Sequence, residues 1–156
     1  MMLVTALAVA GCDGGKDDVE TKTIDDAKAV VQARAESVAG QLGGVLTRPS
    51  LLDAPCTGRR GESGGDGVYF IQGGYQVALP AAEHVATAAR VRDEWKAAGW
   101  TITDNRTIGT TAILAATTPD EFKVHLESTV QGSALALLVY SPCYGSPSGG
   151  NHAAWQ

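Results

Sequence analysis

The sequence predicts an α+β domain: an antiparallel sheet of four to five strands with two helices packed on one face. Three observations predict it. Two amphipathic stretches repeat apolar residues at three- and four-residue steps. The segments between and after them are short, apolar or alternating, and bounded by Gly, Pro and Asp turns. The 156 residues, 44% of them apolar, suffice for one domain plus tails.

The first helix is expected over residues 25–42, where Ala27, Val30, Val31, Ala35, Val38 and Leu42 form one apolar stripe. Thr23 and Asp26 resemble a capping box with a shorter acid, and Gly43-Gly44 stops the helix. Residues 45–67 read as loop, Gly-rich and charged from Thr57 onward. Residues 68–79 are strand-like, with Gly73-Gly74 as either a hairpin turn or a bulge. The second helix is expected over residues 81–98. Pro80 stands near its first turn, Gly99 ends it, and Ala81, Val85, Ala88, Val91 or Arg92, and Trp95 mark its buried face. Strands are then expected at 100–103, 110–117, 121–129 and 134–140. In the third of these Phe122, Val124 and Leu126 face one way, and Lys123, His125 and Glu127 face water. Residues 134–140 are apolar on both faces, as a central strand would be.

Residues 1–11 carry no charge and are too few to span a bilayer, which takes about 20 residues. They fit the apolar region of a secretory signal. They lead into Val9-Ala10-Gly11-Cys12, which resembles a bacterial lipobox. That resemblance implies a diacylglyceryl group on the Cys12 thiol and a mature chain that starts at Cys12. No Lys or Arg precedes Lys16, so the reading expects the basic start of the signal to lie upstream of Met1. The alternative is a buried N-terminal element that ends in Gly-Cys. Residues 12–23 would then be a lipidated tether, polar and Gly-rich after Cys12. Residues 24–145 would form the domain, and residues 146–156 a disordered tail.

With Cys12 acylated, Cys56 and Cys143 remain, and two cysteines in an exported domain usually pair. The alternative is a metal or redox site, but the chain has no C-x-x-C and no His close in sequence to either cysteine. The lipobox, Gly99-Trp100 after the second helix and the late Ser141-Pro142-Cys143 together resemble small exported lipoproteins of high-GC actinobacteria whose functions are unassigned. The resemblance implies an envelope location and no activity.

Catalytic signals are sparse. Gly61-Glu62-Ser63-Gly64-Gly65 imitates a serine-protease nucleophile motif, yet His84, His125 and His152 all lie downstream of Ser63 and the chain is too short for that fold. Glu83 and His84 are adjacent and point apart on a helix. Asn105-Arg106-Thr107 is a chance sequon. No phosphate loop, metal-ligand set or cofactor motif is found, so no cofactor and no metal are expected. The net charge of −5 argues against nucleic acid. Tyr69, Tyr75, Trp95 and Trp100 read either as core or as pocket lining. The candidate binding surface is Tyr69, Tyr75 and His125, on either the open sheet face or a Tyr69–Tyr75 hairpin.

The preferred reading is a non-enzymatic lipoprotein, held on the extracytoplasmic face of the cell membrane through Cys12, whose domain binds an envelope protein or a small ligand. The second is an apolar-ligand or lipid carrier, which needs a cavity between helices and sheet. The third is a small cell-wall hydrolase, which needs His84 or His125 beside a Ser or carboxylate in a cleft.

Overall fold

The computed structural model describes residues 19–57 and 67–147. The signal and Cys12, most of the tether, Ser63 and its loop, and His152 with nearly all of the tail lie outside these residues. The domain is α+β. Helix α1 (Ile24–Leu42) is followed by strands β1 (Leu46–Pro55) and β2 (Val68–Ala78). A 3-10 turn over Ala81–Glu83 leads into helix α2 (His84–Ala97). Strands β3 (Thr101–Ile108), β4 (Thr111–Thr117), β5 (Lys123–Ser128), β6 (Ala134–Tyr140) and the short β7 (Tyr144–Gly145) complete the chain.

One antiparallel sheet holds the strands in the order β1-β2-β6-β5-β4-β3, with β7 paired to the start of β2. The sheet therefore has six strands plus β7, where four to five were expected. The added strand is β1, in a segment read as loop. It is an edge strand with mostly exposed side chains, it contains Pro49 and Pro55, and its register shifts between Thr47 and Ser50. An edge strand with so little burial has no alternating apolar signal to read. β3 also runs further than the expected 100–103, because most of its residues after Ile102 are exposed at the opposite edge.

The glycine pair makes neither a hairpin nor a bulge, since β2 runs through it with unbroken pairing to β6. Gly73 is needed for close approach of the helix. A Cβ there would come within 2.7 Å of Val31 Cγ1 on α1 and 2.8 Å of the Tyr75 ring.

Local chemistry sets the helix ends. Thr23 accepts the Asp26 N–H at 3.1 Å, and its hydroxyl donates to the Asp26 carboxylate at 2.8 Å. Gly43 adopts φ 78°, and Gly44 N–H closes back to the Ala39 carbonyl at 3.0 Å. On α2 the buried residues are His84, Ala88, Val91 and Trp95. Ala81 is exposed and Val85 only partly covered, because the 3-10 turn rotates the start of the helix away from the expected register.

Both helices cover one face. Tyr69, Ile71, Tyr75 and Val77 of β2 point towards them, as do Leu135, Leu137 and Val139 of β6, Val124 and Leu126 of β5, and Leu114 of β4. Trp95 is fully buried, stacks on Trp100 at 4.7 Å between centroids and donates its indole N–H to Gln41 on α1 at 2.8 Å. The buried side chains of the helices and the sheet pack together as one hydrophobic cluster. No described helix is long and apolar enough to cross a membrane.

Candidate functional site

Strand geometry puts alternate residues on opposite faces. The second set on each strand faces away from both helices. On β6 that set is Ala136, Leu138 and Tyr140, flanked by Phe70 on β2 and by Lys123, His125 and Glu127 on β5. Among the described residues no helix lies over this set, and Phe70, Ala136, Leu138, His125 and Tyr140 are only half-buried. A sheet face left to water ordinarily carries polar side chains, and β5 follows that rule. β6 does not.

Two adjoining hollows open on this outer face. The first, about 470 Å³, lies between Phe70, Tyr140, Lys123 and the segment Ser141-Pro142-Cys143. The second, about 360 Å³, lies over Thr103, Ala115, Thr117 and His125. Lys123 and Tyr140 line both, so the two form one trough running across the strands. The Phe70 and Tyr140 rings stand 6.5 Å apart with their planes 40° apart. Among the described residues the Lys123 side chain makes no ion pair or hydrogen bond.

Cys56 and Cys143 are joined in a disulfide, with Cα atoms 6.1 Å apart across 87 residues of sequence. The bond ties the end of β1 to the chain leaving β6, and both cysteines line the first hollow. Such bonds persist in oxidising surroundings, so this one points to an extracytoplasmic domain. The N-terminal segment joins the domain at the same end. Thr21 bridges Gly145, Gly145 N–H donates to the Glu20 carbonyl at 2.9 Å, and the Tyr69 hydroxyl donates to the Lys22 carbonyl at 2.8 Å.

Tyr69 and Tyr75 do not form a surface. They belong to the helix-covered set of β2 and are 0% and 3% exposed. The expected Tyr69–Tyr75 hairpin is absent because the strand does not turn at Gly73-Gly74. Burial, followed by the charge of Glu36, pushes the Tyr75 hydroxyl up to about 12. That hydroxyl is the one buried side-chain polar atom without a hydrogen-bond partner among the described residues. Burial also raises Tyr69 and Tyr144.

His125 is on the outer face as expected, its Nε2 3.2 Å from Glu127. Across β4, Arg106 donates to both oxygens of Asp104 at 2.8 to 3.1 Å and holds that carboxyl below the usual range, with His125 acting in the same direction. No group of three or more His, Cys, Asp or Glu among the described residues is arranged to hold a metal.

His84 is buried and belongs to a closed network. Its Nε2 lies 2.8 Å from the Leu79 carbonyl, which can only accept, so Nε2 carries the proton. Its Nδ1, 2.9 Å from Ser128, accepts the Ser128 hydroxyl, whose oxygen in turn accepts the Ala112 N–H at 2.9 Å. This histidine does meet a serine. Each partner is already satisfied, however, and His84 is 1% exposed. The network pins the start of α2 to β4 and β5.

Sequence reasoning missed Phe70, Leu138, Tyr140 and Lys123. The signal was the double-sided apolarity of β6. In a sheet with helices on one face only, it leaves one apolar set uncovered. No protein-family model matches the chain, and no curated protein matches it in sequence.

Proposed function

We propose that the chain is a non-enzymatic, membrane-anchored lipoprotein of the cell envelope whose outer sheet face is its binding surface. The observation that carries the reading is the apolar column Ala136–Leu138–Tyr140 with Phe70, half-buried on a face that no described helix covers. Exposed apolar patches rimmed by polar groups mark interaction sites, and here the rim is Gln72, Lys123, His125 and Glu127.

The lipobox at Cys12, the disulfide between the other two cysteines and the polar residues 13–18 support the anchor. Seven residues separate Cys12 from Glu20, so the tether reaches about 28 Å at full extension. The trough lies at the end of the domain where the N-terminal segment enters beside Gly145, and an anchor at Cys12 would hold that end near the membrane. Two acyl chains suffice for stable anchoring, at about 0.8 kcal/mol per buried CH₂.

Intact-mass measurement of the detergent-extracted protein tests the anchor. The expected mass is that of a chain starting at an acylated Cys12 with one disulfide; an unacylated chain retaining residues 1–11 would refute it. Co-sedimentation of the purified full chain with isolated envelope fragments tests the surface. Retention that drops in Leu138→Ser and Tyr140→Ala is expected, and equal retention of these variants would exclude the outer face.

A further inference from the structure

The end of the sheet where β6 stops is built unlike the rest. Ser141 still bonds to Ile71 on β2, its N–H donating to the Ile71 carbonyl at 2.9 Å. Tyr144 then pairs with Tyr69, so Pro142 and Cys143 together oppose the single residue Phe70. Such a bulge interrupts the ladder, and β7 beyond it pairs with β2 through only two residues. So short a strand holds weakly by itself. The disulfide supplies the missing hold. On the other side of β2, Pro55 pairs with Tyr69 and the Cys56 N–H donates to the Val68 carbonyl at 3.1 Å. The bond to Cys143 therefore reaches across β2 and pins the bulge directly before β7.

β7 in turn is the seat of the N-terminal segment. Both backbone polar groups of Gly145 are given to it. The Gly145 N–H donates to the Glu20 carbonyl at 2.9 Å, and its carbonyl accepts the Lys22 N–H at 3.0 Å. The Lys22 ammonium lies 5.3 Å from the centre of the Tyr144 ring. β2 adds one bond, from the Tyr69 hydroxyl to the Lys22 carbonyl at 2.8 Å. Residues 20–22 are thus a strap fastened largely to the two residues that the disulfide holds in place.

We propose that the Cys56–Cys143 disulfide is a redox latch for this strap. Closed, it keeps β7 on β2 and the strap on β7. Cys143 is exposed and Cys56 buried, so a dithiol reductant attacks the Cys143 sulfur as a thiolate and expels Cys56 as the leaving thiolate. The reductant's second thiol then breaks the mixed disulfide and frees Cys143. The reductant leaves as its own disulfide, and its two protons and two electrons end on Cys56 and Cys143. With the latch open, β7 and residues 20–22 detach while α1, capped at Thr23, stays in place. Only the consequence for reach rests on the anchor at Cys12. The full extension from Cys12 to the first fixed residue grows from about 28 Å at Glu20 to about 42 Å at Ile24.

Amide NMR spectra of the full chain, oxidised and then reduced with dithiothreitol, test the latch. Reduction is expected to move Lys22, Tyr144 and Gly145 to random-coil shifts while Leu114, Leu126 and Leu137 keep their folded shifts. The variant carrying Cys56→Ser and Cys143→Ser should match the reduced protein. Folded shifts retained at Lys22 and Gly145 after reduction would overturn the proposal. So would loss of all the folded shifts together, which would make the bond a staple of the whole domain. Gly145→Pro tests the seat with the disulfide closed, because it removes the donor to Glu20 and leaves the Cys143 bond intact. It should free Thr21 and Lys22 but not Tyr144, and a strap that stays docked in this variant would also refute the latch. Intact mass reports the anchor separately, so an unacylated chain whose strap still responds to dithiothreitol loses the change in reach and keeps the latch.

Discussion

Leu137 and Leu138 are neighbours on β6, yet they belong to two different proteins in physical terms. Leu137 points into a layer of helices, is 0% exposed and packs among Tyr75, Leu126 and Leu114. Leu138 points to the other side, lies between Gly74 and His125 and has no layer over it among the described residues. The inner face is a buried core, and the outer face carries apolar groups that are only half-buried. The difference separates residues packed in the core from residues of the proposed binding face, and each substitution below probes that division.

The largest effect is expected on the inner face. Leu137→Ala should cost about 2–5 kcal/mol and Trp95→Ala about 3–5 kcal/mol, read by denaturant unfolding. Leu138→Ala should cost under about 1 kcal/mol, within the range of surface substitutions, and Leu138→Ser should melt as a folded domain. Equal losses at 137 and 138 would mean that something covers both faces.

Opening the disulfide comes next. The bond closes a loop of 87 residues, for which chain entropy gives roughly 4–5 kcal/mol and measured losses run about 2–5 kcal/mol. Cys56→Ala with Cys143→Ala should lower stability by that amount and also loosen the Pro142 wall of the trough, so ligand binding should weaken even below the melting range.

Gly73→Ala follows at about 1–3 kcal/mol, the usual range for overpacking, because the new methyl meets Val31 and Tyr75 at under 3 Å. Gly74→Ala, one residue along on the outer face, meets its nearest atom at 3.6 Å and should be tolerated. A reversed order would show that the helix does not press on Gly73.

The smallest effect has the opposite sign. Tyr75 buries a hydroxyl without a partner, and an unsatisfied group costs about 1–3 kcal/mol. Tyr75→Phe should therefore leave stability unchanged or raise it by about 1 kcal/mol. The hydroxyl is pushed up to about 12, above its ordinary value of 10. The folded state holds that proton more tightly than the unfolded chain does. Its contribution is full below pH 10 and is lost as pH rises towards 12. Wild type should lose stability across that window, and Tyr75→Phe should lose less.

Much of this architecture was legible in the sequence, and the misses share one cause. The helices announced themselves because each buries a stripe, and Thr23 and Gly43-Gly44 mark α1 at both ends. β5 was legible because Phe122, Val124 and Leu126 alternate with Lys123, His125 and Glu127. β1 was not, since an edge strand held by backbone ladders and a disulfide needs no apolar pattern. Gly73-Gly74 misled because glycine serves a turn and a tight helix approach equally well. The candidate aromatics were misplaced for a related reason. Tyr69 and Tyr75 look like surface aromatics until the strand is known to run straight, which turns both inward and leaves Phe70 and Tyr140 outward. Cys56 and Cys143 were assigned by parity alone, and the fold brings them together.

Hydroxyl-radical footprinting, resolved by residue and compared between living cells and the purified full chain, tests the division of the sheet most directly. The account predicts that Phe70, Leu138 and Tyr140 react readily in the purified protein and are protected in cells, while Leu137, Tyr75 and Trp95 are protected in both. Equal reactivity of Phe70, Leu138 and Tyr140 in the two settings would contradict it.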